Sequence, residues 1–364
     1  MPGLFSPYSL KGAHLRNRIV VSPMCQYMAQ EGEANNWHQV HYSSLARGGA
    51  GLVIVEATAV SPEGRITWAD LGLWNEAQAK ALEPVVAEIT KYGAVPGIQI
   101  AHAGRKAAAN RPWEGDDHIA EDQANSWKTI APSAIPFGTN LPRVPEEMSL
   151  AEIARVQADT VRAAERARDL GFRWLQLHFA HGYLAQNFFS PLSNKRTDQY
   201  GGNAENRARY LLETFIAVRR IWPEDRPLTI RFSAVEFDGN DETLLEESID
   251  LLRRMKQEGL DFVDVSVGFN TPHAKIPWAP NFLADLAKTI RQETALPGTT
   301  SWYISDPKEA DELIREDKID LVSLGRPLLA EPHWPYRAAQ ALNVENPAWT
   351  TLPPAYAHWL AKYR

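Results

Sequence analysis

Cysteine is nearly absent from this chain. One residue, Cys25, occurs in 364, so no internal disulfide can form and no four-cysteine zinc or iron–sulfur site can be assembled. Long apolar runs are lacking too. Nothing approaches the roughly 18 consecutive apolar residues of a membrane span, and Met1-Pro2-Gly3-Leu4-Phe5 has neither the basic start nor the apolar stretch of a secretory leader. Basic charge is not in excess. Lys and Arg number 38 against 45 Asp and Glu, a formal net charge of −7, which suits a soluble protein and argues against nucleic acid as partner. With the single thiol, these absences lead us to expect a reducing, cytoplasmic setting. No internal repeat or low-complexity tract is present.

What the chain has in quantity is tryptophan, 12 residues, and proline, 25. Most of them serve a core and its loops; aromatic residues in such number can also line a pocket for a flat ligand. The remaining pattern is an alternation of short β-type apolar runs with longer amphipathic stretches. The runs are Ile19–Val21, Gly51–Val55, Ile98–Ile100, Trp174–His178, Leu228–Phe232, Phe262–Ser266, a weak one near Thr299–Ser301, and Leu321–Leu324. Near-continuous apolar runs fit parallel strands buried on both faces. Between them, Asn203, Ser149 with Glu152, and Asp306-Pro307 read as helix starts. Pro84 predicts a kink or two short pieces in the helix after Asn75.

Eight strands alternating with helices predict an α/β fold, a (β/α)8 TIM barrel. We read it as one domain over residues 1–364, with an ordered excursion at 103–148 after the third strand and a C-terminal tail at 343–364. The rival doubly wound sheet needs a Gly-rich turn after its first strand. Pro23-Met24-Cys25-Gln26-Tyr27 stands there instead, and Gly48-Gly49-Ala50-Gly51 precedes a strand, where it caps a helix.

Barrel chemistry gathers at the C-terminal ends of the strands. Polar residues near those ends are Cys25 and Tyr27; Glu56 and Thr58; Gln99 and His102; His178, His181 and Tyr183; Arg231; Ser301 and Trp302; Gly325 and Arg326. Two imidazoles can hold a carbonyl or phenolate oxygen, and a phenol can deliver a proton to a developing carbanion. Histidines bonding backbone, or a metal site, are the alternatives. Arg231 within an apolar strand needs a partner, either an anionic ligand or a buried carboxylate. Gly325-Arg326 follows the eighth strand, where many barrels bind phosphate. Cys25 by itself reads as a small buried hydrophobe.

Several stretches in order are specific: Pro23–Tyr27, Gln99-Ile100-Ala101-His102-Ala103-Gly104-Arg105-Lys106, His178–Tyr183, and Arg196-Thr197-Asp198-Gln199-Tyr200-Gly201-Gly202 followed by Glu205-Asn206-Arg207. Through them the chain resembles the old yellow enzyme family of FMN-dependent ene-reductases, in its thermophilic-like branch, from Leu4 to Leu360. The resemblance implies a (β/α)8 barrel with FMN across its mouth and NADPH, or NADH, as reductant. It implies an activated alkene, an α,β-unsaturated carbonyl or nitro compound, as substrate. Pro23, Met24 and Cys25 would border the flavin ring, Cys25 tuning its potential. Ala57, Gln99 and Arg231 would contact it, and backbone near Ser301, Trp302, Gly325 and Arg326 would hold its phosphate. His178 and His181 would bind the substrate oxygen, Tyr183 would donate the proton, and Tyr27 and Trp302 would shape the pocket. Trp359 would reach a neighbouring subunit, making a dimer or tetramer. Tyr303 departs from the pattern, since close relatives often carry glycine in that loop, and its side chain restricts backbone approach.

Two rivals remain from other classes. One is a metal-dependent barrel hydrolase built on His102, His178 and His181; the other is a non-catalytic binder of flavin or phosphate ligands. The larger dienoyl-CoA reductase relative carries an iron–sulfur cluster that one cysteine cannot hold.

Overall fold

A computed structural model describes residues 2–363. Eight parallel strands close into a barrel in sequence order. They are β1 (Ile19–Val21), β2 (Leu52–Ala59), β3 (Val95–Ala101), β4 (Trp174–Phe179), β5 (Leu228–Val235), β6 (Phe262–Val267), β7 (Gly298–Thr300) and β8 (Leu321–Leu324). The expected (β/α)8 barrel is what the chain forms. The seventh strand is short, as its Gly-Thr-Thr sequence suggests. Strands β2 and β5 run past their apolar cores to take in Glu56–Ala59 and Ser233–Val235.

Five of the helices between strands begin at side-chain caps. In α1 (Asn36–Arg47) and α2 (Glu76–Lys91) the caps are Asn35 and Asn75, and in α3 (Leu150–Asp169) Ser149 and Glu152 make a capping box. Short α4 (Leu184–Phe189) follows β4, and α5 (Ala204–Arg219) starts at Asn203. Then come α6 (Asp241–Gln257), α7 (Ala284–Thr294) and α8 (Pro307–Arg315), the last capped by Asp306 with proline at its first position. Of the alternatives expected at Pro84, two short pieces are not formed. Helix α2 is a single helix with Pro84 inside it. Pro84 and Lys80, whose carbonyl loses its partner, are both exposed, so water takes the place of the missing hydrogen bond.

The strands' alternation sorts the barrel interior by polarity. At the N-terminal end Val20, Leu52, Ile54, Trp174, Phe262 and Leu321 form an apolar plug, closed below by a hairpin of Tyr8–Leu10 and Ala13–Leu15. A two-residue step further up, the same inward phase carries Gln99, Gln176 and Asp264. Above them come His178, Arg231, Ser266, Ser301 and Ser323. Outward positions such as Val53, Val55, Leu175, Leu177, Ile230 and Val265 join the core shared with the helices. A hydrophobic floor thus supports a polar mouth. After β3, residues 103–148 hold two short turns and a small parallel ladder of Ile130–Ala131 with Glu146–Glu147. Beyond β8 lie α9 (Arg326–Ala330), α10 (Trp334–Ala341), α11 (Pro347–Thr351) and α12 (Pro354–Leu360).

Candidate active site

A cavity of about 850 Å³ opens at the C-terminal end of the barrel. Its walls include Pro23, Met24, Cys25, Ala57, Gln99, His178, His181, Tyr183, Arg231, Ser301, Trp302, Gly325 and Arg326. The structure therefore brings thirteen of the fifteen expected site residues to one space. Two stand apart. Tyr27 is not among the lining residues; it sits behind Cys25 and meets Trp113 of the excursion edge-on, with ring centroids 6.0 Å apart. Trp359 lies on α12, 74% exposed and outside the cavity.

Ala57 reaches the cavity because β2 is irregular. Strict alternation would point Glu56 inward and Ala57 outward, after inward Leu52 and Ile54. The register with β3 shifts between Val55 and Thr58, and this bulge reverses the phase. Glu56 consequently faces α1, where its carboxylate accepts from Tyr42 Oη at 2.9 Å and from the Gln26 backbone N–H at 2.6 Å. That second bond fixes the turn carrying Cys25. Glu56, grouped with the strand-end polar residues by its position, is not a cavity residue. Burial pushes the Cys25 thiol well above its ordinary value, with Asp70 and Glu56 adding to the effect, so sulfur stays protonated.

After β4 the chain turns sharply at His181 and Gly182, with φ of 64° and 70°. His181 N–H donates to Ser233 Oγ at 3.0 Å, and Gly182 N–H to Gln186 Oε1 at 2.7 Å. The turn folds Tyr183 back beside the two imidazoles. Ring centroids are 4.9 Å apart for His178 and His181, and 5.0 Å for His178 and Tyr183, all near edge-on. His178 Nδ1 accepts from the Ala180 N–H at 3.3 Å, which assigns the proton to Nε2. His181 Nε2 lies 2.7 Å from Ser266 Oγ, which also accepts from Trp302 Nε1 at 3.2 Å. Burial, reinforced by the Arg231 charge, holds both imidazoles well below the usual histidine range, hence neutral. Burial pushes the Tyr183 phenol well above its ordinary value. The cluster offers neutral N–H and O–H groups.

His102 does not join it. Its Nδ1 accepts from the Gly104 N–H at 3.0 Å, and its Nε2 faces Glu63 at 3.9 Å, outside the main cavity. Among the described residues no group of three or more His, Cys, Asp and Glu side chains is placed to share a metal. The three-histidine arrangement of the hydrolase rival is thus not formed.

Below the mouth runs a chain of polar side chains. Gln99 Nε2 donates to Gln176 Oε1 at 2.7 Å, Gln176 approaches Asp264 Oδ2 at 3.5 Å, Asp264 faces Arg231 Nε at 3.4 Å, and Arg231 Nη2 donates to Ser301 Oγ at 2.7 Å. Arg231 therefore has the buried carboxylate as partner and also lines the cavity. Its Nε and Asp264 Oδ1 are buried without a hydrogen bond among the described residues. The sequence reading missed Gln176, Asp264 and Ser266; their signal was polar residues recurring every second position inside apolar runs. Ser301–Ile304 and Gly325–Arg326 also line the cavity. Trp302 and Tyr303 both adopt left-handed φ, 80° and 56°, and Tyr303 lies 48% exposed against Trp278.

A flat, oxygen-rich, anionic ring system fits this donor set. The lining supplies the amide of Gln99, the guanidinium groups of Arg231 and Arg326, the thiol of Cys25 and small residues such as Ala57 and Gly325. Fold and cavity together define a barrel oxidoreductase of the flavin-binding class. The chain belongs to the NADH:flavin oxidoreductase / NADH oxidase family, whose model matches residues 3–345. It is 42% identical over 342 residues to an NADPH dehydrogenase of Geobacillus sp. (strain WCH70), covering 93% of this chain and 94% of that one. Morphinone reductase superposes with a TM-score of 0.79 at 26% identity, covering 93% of this chain and 90% of that chain. The old yellow enzyme homologue from Zymomonas mobilis does so at 0.77 and 25%, covering 98% and 99%. The protein is an enzyme of this family, an oxidoreductase working with a flavin and a nicotinamide reductant. No described helix is long and apolar enough to cross a membrane.

Proposed function

We propose that the protein is an NADPH-dependent, FMN-containing ene-reductase that reduces α,β-unsaturated carbonyl compounds and activated nitro compounds, xenobiotics among them. The observation that carries this reading is the cluster of His178, His181 and Tyr183, with centroids 4.9 and 5.0 Å apart, at the mouth of the 850 Å³ cavity. Bound FMN supplies reversible hydride transfer between the nicotinamide and the alkene. Gln99 and Arg231 would hold its ring, Arg231 opposing negative charge there. Pro23, Met24, Cys25 and Ala57 would border the ring. Backbone at Ser301, Trp302, Gly325 and Arg326 would hold the phosphate.

The two neutral imidazoles bind the carbonyl or nitro oxygen and stabilise the charge that develops on it. Their fixed position would orient the bound alkene toward the flavin site, an effect of orientation. Tyr183, kept protonated by burial, delivers its proton to the α-carbon. Tyr27 and Trp302 shape the pocket. We read the chain as one barrel, with the 343–364 tail and exposed Trp359 at a subunit boundary of a homodimer or tetramer, in the cytoplasm. The test is spectroscopic. Purified holoenzyme shows a flavin band that NADPH bleaches under anaerobic conditions and 2-cyclohexenone restores. No flavin band after FMN reconstitution sinks the reading, and bleaching without reoxidation leaves a flavin-binding protein.

A further inference from the structure

Lys106 ends the Gly104–Lys106 turn after β3, and the roles assigned above do not use it. Its Nζ donates to the backbone carbonyl of His181 at 2.9 Å and to that of Phe269. It lies 4.2 Å from the centre of the Phe137 ring, and among the described residues no carboxylate comes within 4.0 Å of it. An ammonium taken largely out of water thus has two carbonyls and a ring face as its partners. Both carbonyls belong to residues in the left-handed region, His181 with φ of 64° and Phe269 with φ of 48°. The turns after β4 and β6 approach closely because Gly182 has no side chain: a Cβ there would lie 2.5 Å from the Phe269 oxygen and 3.1 Å from Lys106 Cε.

Those two turns carry different parts of the site. The first holds His181 and Tyr183. The second holds Phe269, whose ring lies 5.6 Å from His181, 5.3 Å from Trp302 and 6.0 Å from Trp278. We propose that Lys106 is a positioning residue whose ammonium clamps the His181 turn to the Phe269 turn, setting the substrate-binding imidazole against the aromatic wall of the pocket. Its consequence for catalysis rests on the ene-reductase reading; the clamp itself does not.

The clamp is a charge-assisted one, so it loosens when the amine loses its proton. Burial, with Arg105 adding, lowers Lys106 to about 7. The charged and titratable groups around it are Arg105 on its own turn, His178, His181 and Tyr183 on the β4 turn, Asp116 from the excursion, and Glu236 beyond β5. The imidazoles and the phenol stay neutral. Asp116 and Glu236 oppose the loss of the proton, and Glu236, itself pushed up to about 7 by burial, does so increasingly as it ionises. The clamp therefore weakens above neutral pH.

The test uses holoenzyme of the wild type and of Lys106→Met, which keeps the stem and removes the amine. Amide hydrogen exchange, corrected for intrinsic rates, is followed in peptides covering residues 179–184 and 267–272 at about pH 6.5 and about pH 9. The expected result is about tenfold faster exchange in both peptides of wild type at the higher pH, and fast, pH-independent exchange in the variant. With 2-cyclohexenone, KM rises about tenfold in the variant while kcat changes by less than about threefold. Exchange that is alike in variant and wild type at both pH values overturns the clamp, and so does an unchanged KM with kcat alone reduced. Should Lys106→Met fail to fold, the wild-type pH series decides by itself. A wild type that does not turn over the enone refutes the ene-reductase reading while the exchange data still judge Lys106.

Discussion

Replacing Glu56 with Gln should make the protein less sensitive to alkaline pH, by an amount that follows from its surroundings. Glu56 is fully buried behind the Cys25 turn. Its oxygens accept from Tyr42 Oη and Gln26 N–H, and no Lys or Arg pairs with it among the described residues. Burial raises it from 4.5 to about 8. A carboxyl that holds its proton more tightly folded than unfolded stabilises the fold while protonated. That contribution is full below 4.5, falls as pH rises, and is gone above about 8. At about 1.4 kcal/mol for each pH unit between those limits, the loss from pH 5 to pH 9 is about 4 kcal/mol. The Gln variant keeps an acceptor for Gln26 and cannot ionise. Urea unfolding of both holoenzymes, followed by circular dichroism across that range, should show the stability difference moving by about 4 kcal/mol in favour of the variant. Asp70 and Glu236, also raised by burial, titrate in both proteins and largely cancel. A difference that stays flat with pH would refute the reasoning.

Three further outcomes follow from the site. Tyr183→Phe should slow reoxidation of the reduced enzyme by 2-cyclohexenone by about 10²–10⁴-fold, the usual worth of a general acid, with little change in reduction by NADPH; stopped-flow traces showing equal slowing of both refute proton donation. Cys25→Ser should shift the flavin potential in spectroelectrochemical titration while FMN stays bound, and an unchanged potential removes that role. Arg231→Met should destabilise the protein by about 3–5 kcal/mol, because it strands the buried Asp264 carboxylate. Adding Asp264→Asn should recover part of that loss in thermal melts, and a double variant no better than the single one contradicts the pairing.

The barrel was legible because its strands are buried on both faces, which leaves apolar runs such as Leu52–Val55 and Leu228–Phe232 plain in the sequence. Helix starts were legible where a cap is a local event, as at Ser149 with Glu152 and at Asp306-Pro307. What failed depended on surroundings. Pro84 does not split α2 because its turn faces water, and Glu56 points away from the cavity because of a bulge set by pairing with β3. Most expected cavity residues sit near strand ends, which a barrel aims at one space. Asp264 and Ser266 went unremarked because alternation inside a five-residue run is a faint signal, although it points both side chains into the barrel. Trp359 falls outside the cavity of this one chain.

The backbone around the mouth breaks a local rule that a sequence reading relies on. Tyr27, His181, Phe237, Phe269, Trp302 and Tyr303 all have φ between 48° and 80°, and each follows a barrel strand. Left-handed backbone costs a residue with a Cβ about 1–2 kcal/mol, so glycine or asparagine would be the local choice. Bulky rings stand there because neighbours distant in sequence offset the cost. The His181 carbonyl is held by Lys106, Trp302 by Ser266 and Trp278, and Tyr27 by Trp113. Three of these residues, His181, Trp302 and Tyr303, line the cavity. The strain and the site are thus one feature. The same contacts that make the site's geometry rigid connect residues 24 to 86 positions apart, from Trp278 with Trp302 to Tyr27 with Trp113, which is why sequence pattern alone does not show them.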